Sequence, residues 1–163
     1  MKLSESDLKF LNRSIELGLE AEAENNMPFG TVIVLDEKII AEGKNQVFYP
    51  KLNPGSHAEI NALNEIDGSL LLSRAKDMVL YTNVEPCIMC FSTIILYKIG
   101  KVVFGGSDTN KGPTYLLDHL SKIYKKEQLP TFVGPVMQEA CLPMWERANT
   151  LYSKYWDNTK PDM

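Results

Sequence analysis

The chain has 163 residues, 44% of them hydrophobic and 23% charged, which suits one domain over 1–163 with its own core and excludes a disordered protein. Its net charge of −4 argues against a surface built to grip a polyanion, and the densest basic cluster, Lys122, Lys125 and Lys126, is small. No apolar run nears the roughly 18 residues of a bilayer span, and the acidic start Met1-Lys2-Leu3-Ser4-Glu5 is unlike a signal peptide, so the expected compartment is the cytoplasm, with no membrane partner.

Leu8, Leu11, Ile15 and Leu19 recur at helical spacing, so an amphipathic helix is expected over about 5–25, capped by Ser4 or Ser6. Pro28-Phe29-Gly30 breaks that pattern. Thr31 to Leu35 then reads as a buried strand, 36–38 as a turn, and Ile39 to Glu42 as the hairpin partner. Pro50, Asn53, Pro54 and Gly55 mark 45–56 as a loop, after which a helix runs over about 57–66. Met78 to Thr82 is a third strand. Pro86 opens a helix to about Tyr97 that is apolar nearly all round and therefore buried. Strand 102–104, helix 115–124, strand 131–137 and helix 139–155 complete the chain. Alternating helices and strands imply a central sheet covered on both faces.

Three cysteines, Cys87, Cys90 and Cys141, cannot all pair, and a cytosolic chain keeps them reduced. The close pair Cys87 and Cys90 therefore points to metal or redox chemistry, while Cys141 reads as a small buried side chain. Thirty positions before Cys87 stands His57-Ala58-Glu59. One imidazole and two thiolates make three ligands for tetrahedral Zn²⁺ and leave its fourth position open for water, the mark of a catalytic site. Cys87 and Cys90 are three apart at a helix start, so they face one side, and the helix dipole there favours thiolate.

His57 and Glu59 are two apart, which on a regular helix would set them on different faces. They share a pocket only if His57 lies at the irregular helix start, which Pro54-Gly55-Ser56 permits. Glu59 then stands free to carry protons as general base and acid, helped by burial that raises its pKa. A redox pair would leave His57-Ala58-Glu59 without a reason. The expected cofactor is one Zn²⁺ per chain.

His57-Ala58-Glu59 with Pro86-Cys87-x-x-Cys90 resembles the cytidine deaminase-like superfamily, whose zinc deaminases carry this signature. The likeness extends from about Pro28 to Trp145. It includes Pro28-Phe29-Gly30, the Glu-Gly-x-Asn at Glu42 to Asn45, and Ile99-Gly100-Lys101-Val102-Val103-Phe104-Gly105. The resemblance implies an α/β fold, a three-layer αβα sandwich around a five-stranded mixed sheet, a homodimer or tetramer, and attack on an amino-bearing ring carbon. His-Ala-Glu and Glu85-Pro86-Cys87 resemble the branch of guanine deaminases and bacterial tRNA adenosine deaminases.

An acidic, aromatic tail (Tyr152, Tyr155, Trp156, Asp157) stands where the tRNA enzymes carry a basic helix. That directs the expectation to a free nucleobase or nucleoside, guanine foremost. The alternatives are the adenosine of a tRNA, then cytosine or cytidine. The resemblance places Asn45 in the substrate pocket; on its own it is equally a loop cap. Phe29 either walls the pocket or belongs to the core. Asp108 either touches substrate or forms a turn. Trp156 either closes the pocket, within a covering tail over 152–163, or packs the last helix.

Overall fold

The computed structural model describes residues 3–107, 113–120 and 124–156, apart from the side chains of Asp118, His119, Lys126 and Trp156. In chain order the elements are α1 (Glu5–Ala23), β1 (Gly30–Leu35), β2 (Lys38–Lys44), α2 (Ala58–Asn64), α3 (Gly68–Arg74), β3 (Val79–Val84), α4 (Ile88–Leu96), β4 (Lys101–Gly106), α5 (Leu117–Leu120), β5 (Thr131–Val133) and α6 (Gln138–Trp156). Ser4 is the cap of α1 and forms a capping box with Asp7. The strands make one mixed sheet in the order β2-β1-β3-β4-β5. β1 pairs antiparallel with β2 and β3, and β3-β4 and β4-β5 run parallel.

Alternation along the strands divides the core. Val32, Val34, Tyr81 and Val103 pack under Phe10, Leu11 and Leu17 of α1. Ile33, Leu80 and Val102 face the other way, against Ala62 and Leu63 of α2 and Ile94 of α4. Between the central strands β1, β3 and β4 every residue is buried except the first of β3 and of β4. This is the α/β sandwich expected from the sequence.

Several boundaries differ from the sequence reading, each for a local reason. α3 is absent from that reading because it buries no residue and so carries no apolar stripe; Leu72 is 91% exposed, and the helix is held by its Asp67 cap. In the expected helix over 115–124 the described residues form a 3-10 turn at Pro113–Leu116 and then α5, while 121–123 lie outside the described residues. The fifth strand stops at Val133 rather than at residue 137, because Gly134-Pro135 turns the chain under the Phe104 ring, where a Cβ at Gly134 would collide.

Gly43 sets how closely α2 approaches the sheet. A Cβ there would overlap the carbonyl oxygen of Ala58 and the backbone nitrogen of Ala62. Gly43→Ala must therefore push the first turn of α2 outward. The expected cost is about 1–3 kcal/mol, typical of overpacking, read as a lowered urea midpoint with an unchanged slope. A variant as stable as the parent would show that α2 is not held by this contact.

Candidate metal centre and pocket

Two helix beginnings meet at one end of the sheet. His57 is the N-cap of α2, with φ −75° and ψ 155°, and Cys87 is the N-cap of α4, with φ −66° and ψ 171°. Neither side chain makes the capping hydrogen bond usual at that position. Both are turned instead toward one point. His57 Nδ1 lies 3.5 Å from Cys87 Sγ and 3.5 Å from Cys90 Sγ, and the two sulfurs are 3.7 Å apart. The extended backbone at His57 is what lets Glu59, two residues on, share its pocket. Hydrogen bonds from Gln46 N to Ser56 O and from the Asn61 side chain to Lys44 O fix the loop that delivers His57.

The triangle fits zinc. Bond lengths of about 2.3 Å to sulfur and about 2.0–2.1 Å to nitrogen in a tetrahedron put sulfurs about 3.8 Å apart and sulfur–nitrogen pairs about 3.6 Å apart. No other group of three or more His, Cys, Asp or Glu side chains among the described residues is arranged to hold an ion. The electrostatics agree. The neighbouring Cys90 thiol holds the Cys87 pKa down to about 4, against the opposing effect of burial, with His57 adding to the depression. Cys90 is pushed up by the Cys87 thiolate and by burial. A divalent cation among them would keep both as thiolates. Burial pulls His57 down, yet its bond to Cys87 and the charges of Glu59 and Cys87 leave it raised.

Glu59 is 3% exposed. Burial first, and the Cys87 charge second, raise its pKa against the partial offset of His57. A carboxyl so placed holds a proton more readily at neutral pH than one in water.

The same end of the sheet carries a cavity of about 340 Å³, lined by Met27, Phe29, Val84, Trp145 and Ala148 with the polar His57, Glu59, Glu85, Cys87, Asn149 and Tyr152. That is the small end of the roughly 300–1,000 Å³ range of ligand pockets. A larger groove of about 680 Å³ runs along the edge strand β2 but holds neither the cysteines nor Glu59. Asn83, outside the lining, holds the near wall in place: its side chain accepts from Gly30 N and donates to Pro28 O, fixing the Pro28-Phe29-Gly30 segment. Phe29 stacks on Trp145 with ring centres 5.5 Å apart, so it is both wall and core. Asn45 is fully buried, its carbonyl accepting from Val47 N, while its amide nitrogen has no partner. It caps the loop after β2 and keeps two donors spare beside the Phe29 backbone.

Asp108 and the tail beyond Trp156 lie outside the described residues, as does the Trp156 side chain. Aromatic cover nonetheless begins one turn earlier: Tyr152 lines the cavity, and Tyr155 stacks on Phe48 at 4.1 Å. The sequence places Tyr152 in the covering tail over 152–163 but does not single out Trp145, Ala148 and Asn149 as lining residues. Their spacing of three and four residues was the available signal, since it places them on one face of α6.

Residues 4–106 match the family model described as the cytidine and deoxycytidylate deaminase zinc-binding region. A tRNA-specific adenosine deaminase of Haemophilus influenzae is 32% identical over 96% of this chain and 89% of its own length. A guanine deaminase of Bacillus subtilis is 33% identical over 84% of this chain and 83% of its own. Among solved structures, one from a study of tRNA A34 deaminases covers 84% of this chain and 99% of its own, with a TM-score of 0.72 at 21% identity. The family match, the two relatives and the ligand triangle agree: the chain belongs to the zinc-binding cytidine and deoxycytidylate deaminase family and is a zinc-dependent hydrolase of a ring C–NH₂ bond.

Proposed function

We propose that the protein hydrolyses the 6-amino group of an adenosine held in a tRNA, leaving inosine and ammonia. What carries this reading is the likeness to a tRNA-specific adenosine deaminase along 96% of the chain. It reverses the order expected from composition, which set a free base first.

In this reading His57 Nδ1, Cys87 Sγ and Cys90 Sγ hold the zinc, and the N-termini of α2 and α4 offset part of the thiolate charge. When bound, the zinc supplies Lewis acidity and an open fourth position for water. Glu59 carries the first proton of the attacking water to the ring nitrogen and the second, from the hydroxyl then attached to the ring carbon, to the leaving amine. One water is consumed and one ammonia released. Burial excludes bulk solvent from Glu59, so the proton it carries goes to the ring rather than to solvent. The spare amide donors of Asn45 suit an acceptor on the bound nucleotide. Phe29 supplies a flat wall for the ring.

A second reading, free guanine, is favoured by one observation: the cavity is small, roofed by α6, and lined by no lysine or arginine among the described residues. The guanine deaminase likeness supports it too. The test is ammonia release and product identification with an unmodified tRNA transcript, its anticodon stem-loop, adenosine, guanine and cytidine. Inosine in the RNA, with an affinity that falls steeply as salt rises, is the expected result. Turnover of guanine with the RNA untouched would replace the first reading with the second.

A further inference from the structure

The cavity has six polar lining side chains, and five have occupations. His57 and Cys87 face each other and Cys90. Glu59 is buried beside them as the proton carrier. Both oxygens of Glu85 are taken, one by the Ser107 hydroxyl and one by the Thr114 hydroxyl and backbone N–H. Tyr152 at the rim has an interaction of its own. Asn149 is the exception. It lines the cavity from α6 and makes no hydrogen bond among the described residues.

Apart from the buried Asn45, which is not among the lining side chains, the rest of the wall gives a ring burial but little orientation. Met27, Phe29, Val84 and Ala148 offer only apolar surface, Trp145 is engaged by its stack on Phe29 and an interaction of its own, and a flat heterocycle between such walls slides and turns freely. In pockets of this kind, orientation comes from the few polar groups present. Trp145 and Asn149 are one helical turn apart, so the carboxamide projects from the same face of α6 as the indole that stacks on Phe29. Asn149 is exposed at the mouth of the cavity, so its carboxamide is solvated until a ring enters and is then within the lining that the ring meets.

We propose that Asn149 is the specificity-determining residue of the pocket, hydrogen-bonding the edge of the bound heterocycle. A carboxamide offers an acceptor and two donors side by side, complementary to a ring edge with an adjacent acceptor and donor, as purines present. The role rests on the cavity being the deaminase site, and it holds for an adenosine in RNA and for a free purine alike. The selecting group thus comes from the last helix, whereas the chemistry comes from α2 and α4.

The test compares Asn149→Ala and Asn149→Leu with the parent, the leucine filling the space without hydrogen bonding. On whichever of adenosine-bearing RNA or guanine the parent turns over, both variants should lose about 5- to 30-fold in kcat/KM, the scale of one or two neutral hydrogen bonds. Zinc content and melting midpoint should match the parent. Inhibition by purine riboside, guanine and hypoxanthine should become more nearly equal. If kcat/KM and inhibitor ranking stay within twofold of the parent in both variants, the proposal is overturned. Failure of the substrate reading shows in the parent alone, as turnover of a different substrate. If the parent turns over neither, quenching of tryptophan fluorescence by the same three purines decides: weaker binding in both variants supports the role, and unchanged binding overturns it.

Discussion

Cys87→Ala should yield protein without stoichiometric zinc and without measurable deaminase activity. The centre has three protein ligands, and removing one leaves two, so the loss of affinity should far exceed the roughly 10–100-fold that a missing outer-shell partner costs. Stability should fall too, since metal binding to the native site adds to folding. The place of the fall is specific. His57 and Cys87 occupy N-cap positions without making caps, so the metal does the tying that a serine or aspartate would otherwise do there. Hydrogen exchange should therefore quicken at the first turns of α2 and α4 when zinc is removed, and stay slow in β1, β3 and β4. Elemental analysis finding one zinc per chain in Cys87→Ala, together with full turnover, would remove Cys87 from the centre.

Glu59→Gln should leave the zinc in place and lower kcat by about 10²–10⁴-fold, the range for a positioned general acid–base. The glutamine keeps the shape of a side chain buried on α2 and cannot carry the proton. Because the carboxyl is held above its ordinary pKa by burial, its protonated form is what the amide resembles, and folding should survive the exchange. KM should change little, since Glu59 acts on the proton rather than on binding. Loss of zinc in this variant would make Glu59 a ligand or a structural prop, and a rate within tenfold of the parent would end its role as proton carrier.

The metal triangle was legible in the sequence because both its halves are local. Cys87 and Cys90 stand three apart at a helix start, and His57 follows a Pro-Gly-Ser break that permits an extended cap. The strands were legible as buried apolar runs, and the loop over 45–56 by its prolines and glycine. What stayed hidden was set by distant packing. Trp145, Ala148 and Asn149 reach the pocket only because α6 lies across the same end of the sheet, where Cys141 packs against Gly105 and Gly106. Spacing reveals that these residues share a face; it does not reveal what the face covers. Hence the sequence points to a cover over 152–163, while the described lining from α6 begins already at Trp145. Likewise Phe29 was weighed as wall or core, and the Trp145 stack makes it both.

That division of the site has a consequence in the order of synthesis. Chain emerges from the ribosome with residues 57–90 well ahead of residues 145–152. The ligands and proton carrier can gather on a nascent sheet whose cleft still lies open on one side, bathed in bulk water. Only when the last helix packs across it does the cleft gain its last wall. Translation arrested before Trp145 would thus give a chain able to collect metal but not to shelter a ring, so competence for turnover arrives late, as a docking event rather than as a ligand-binding one.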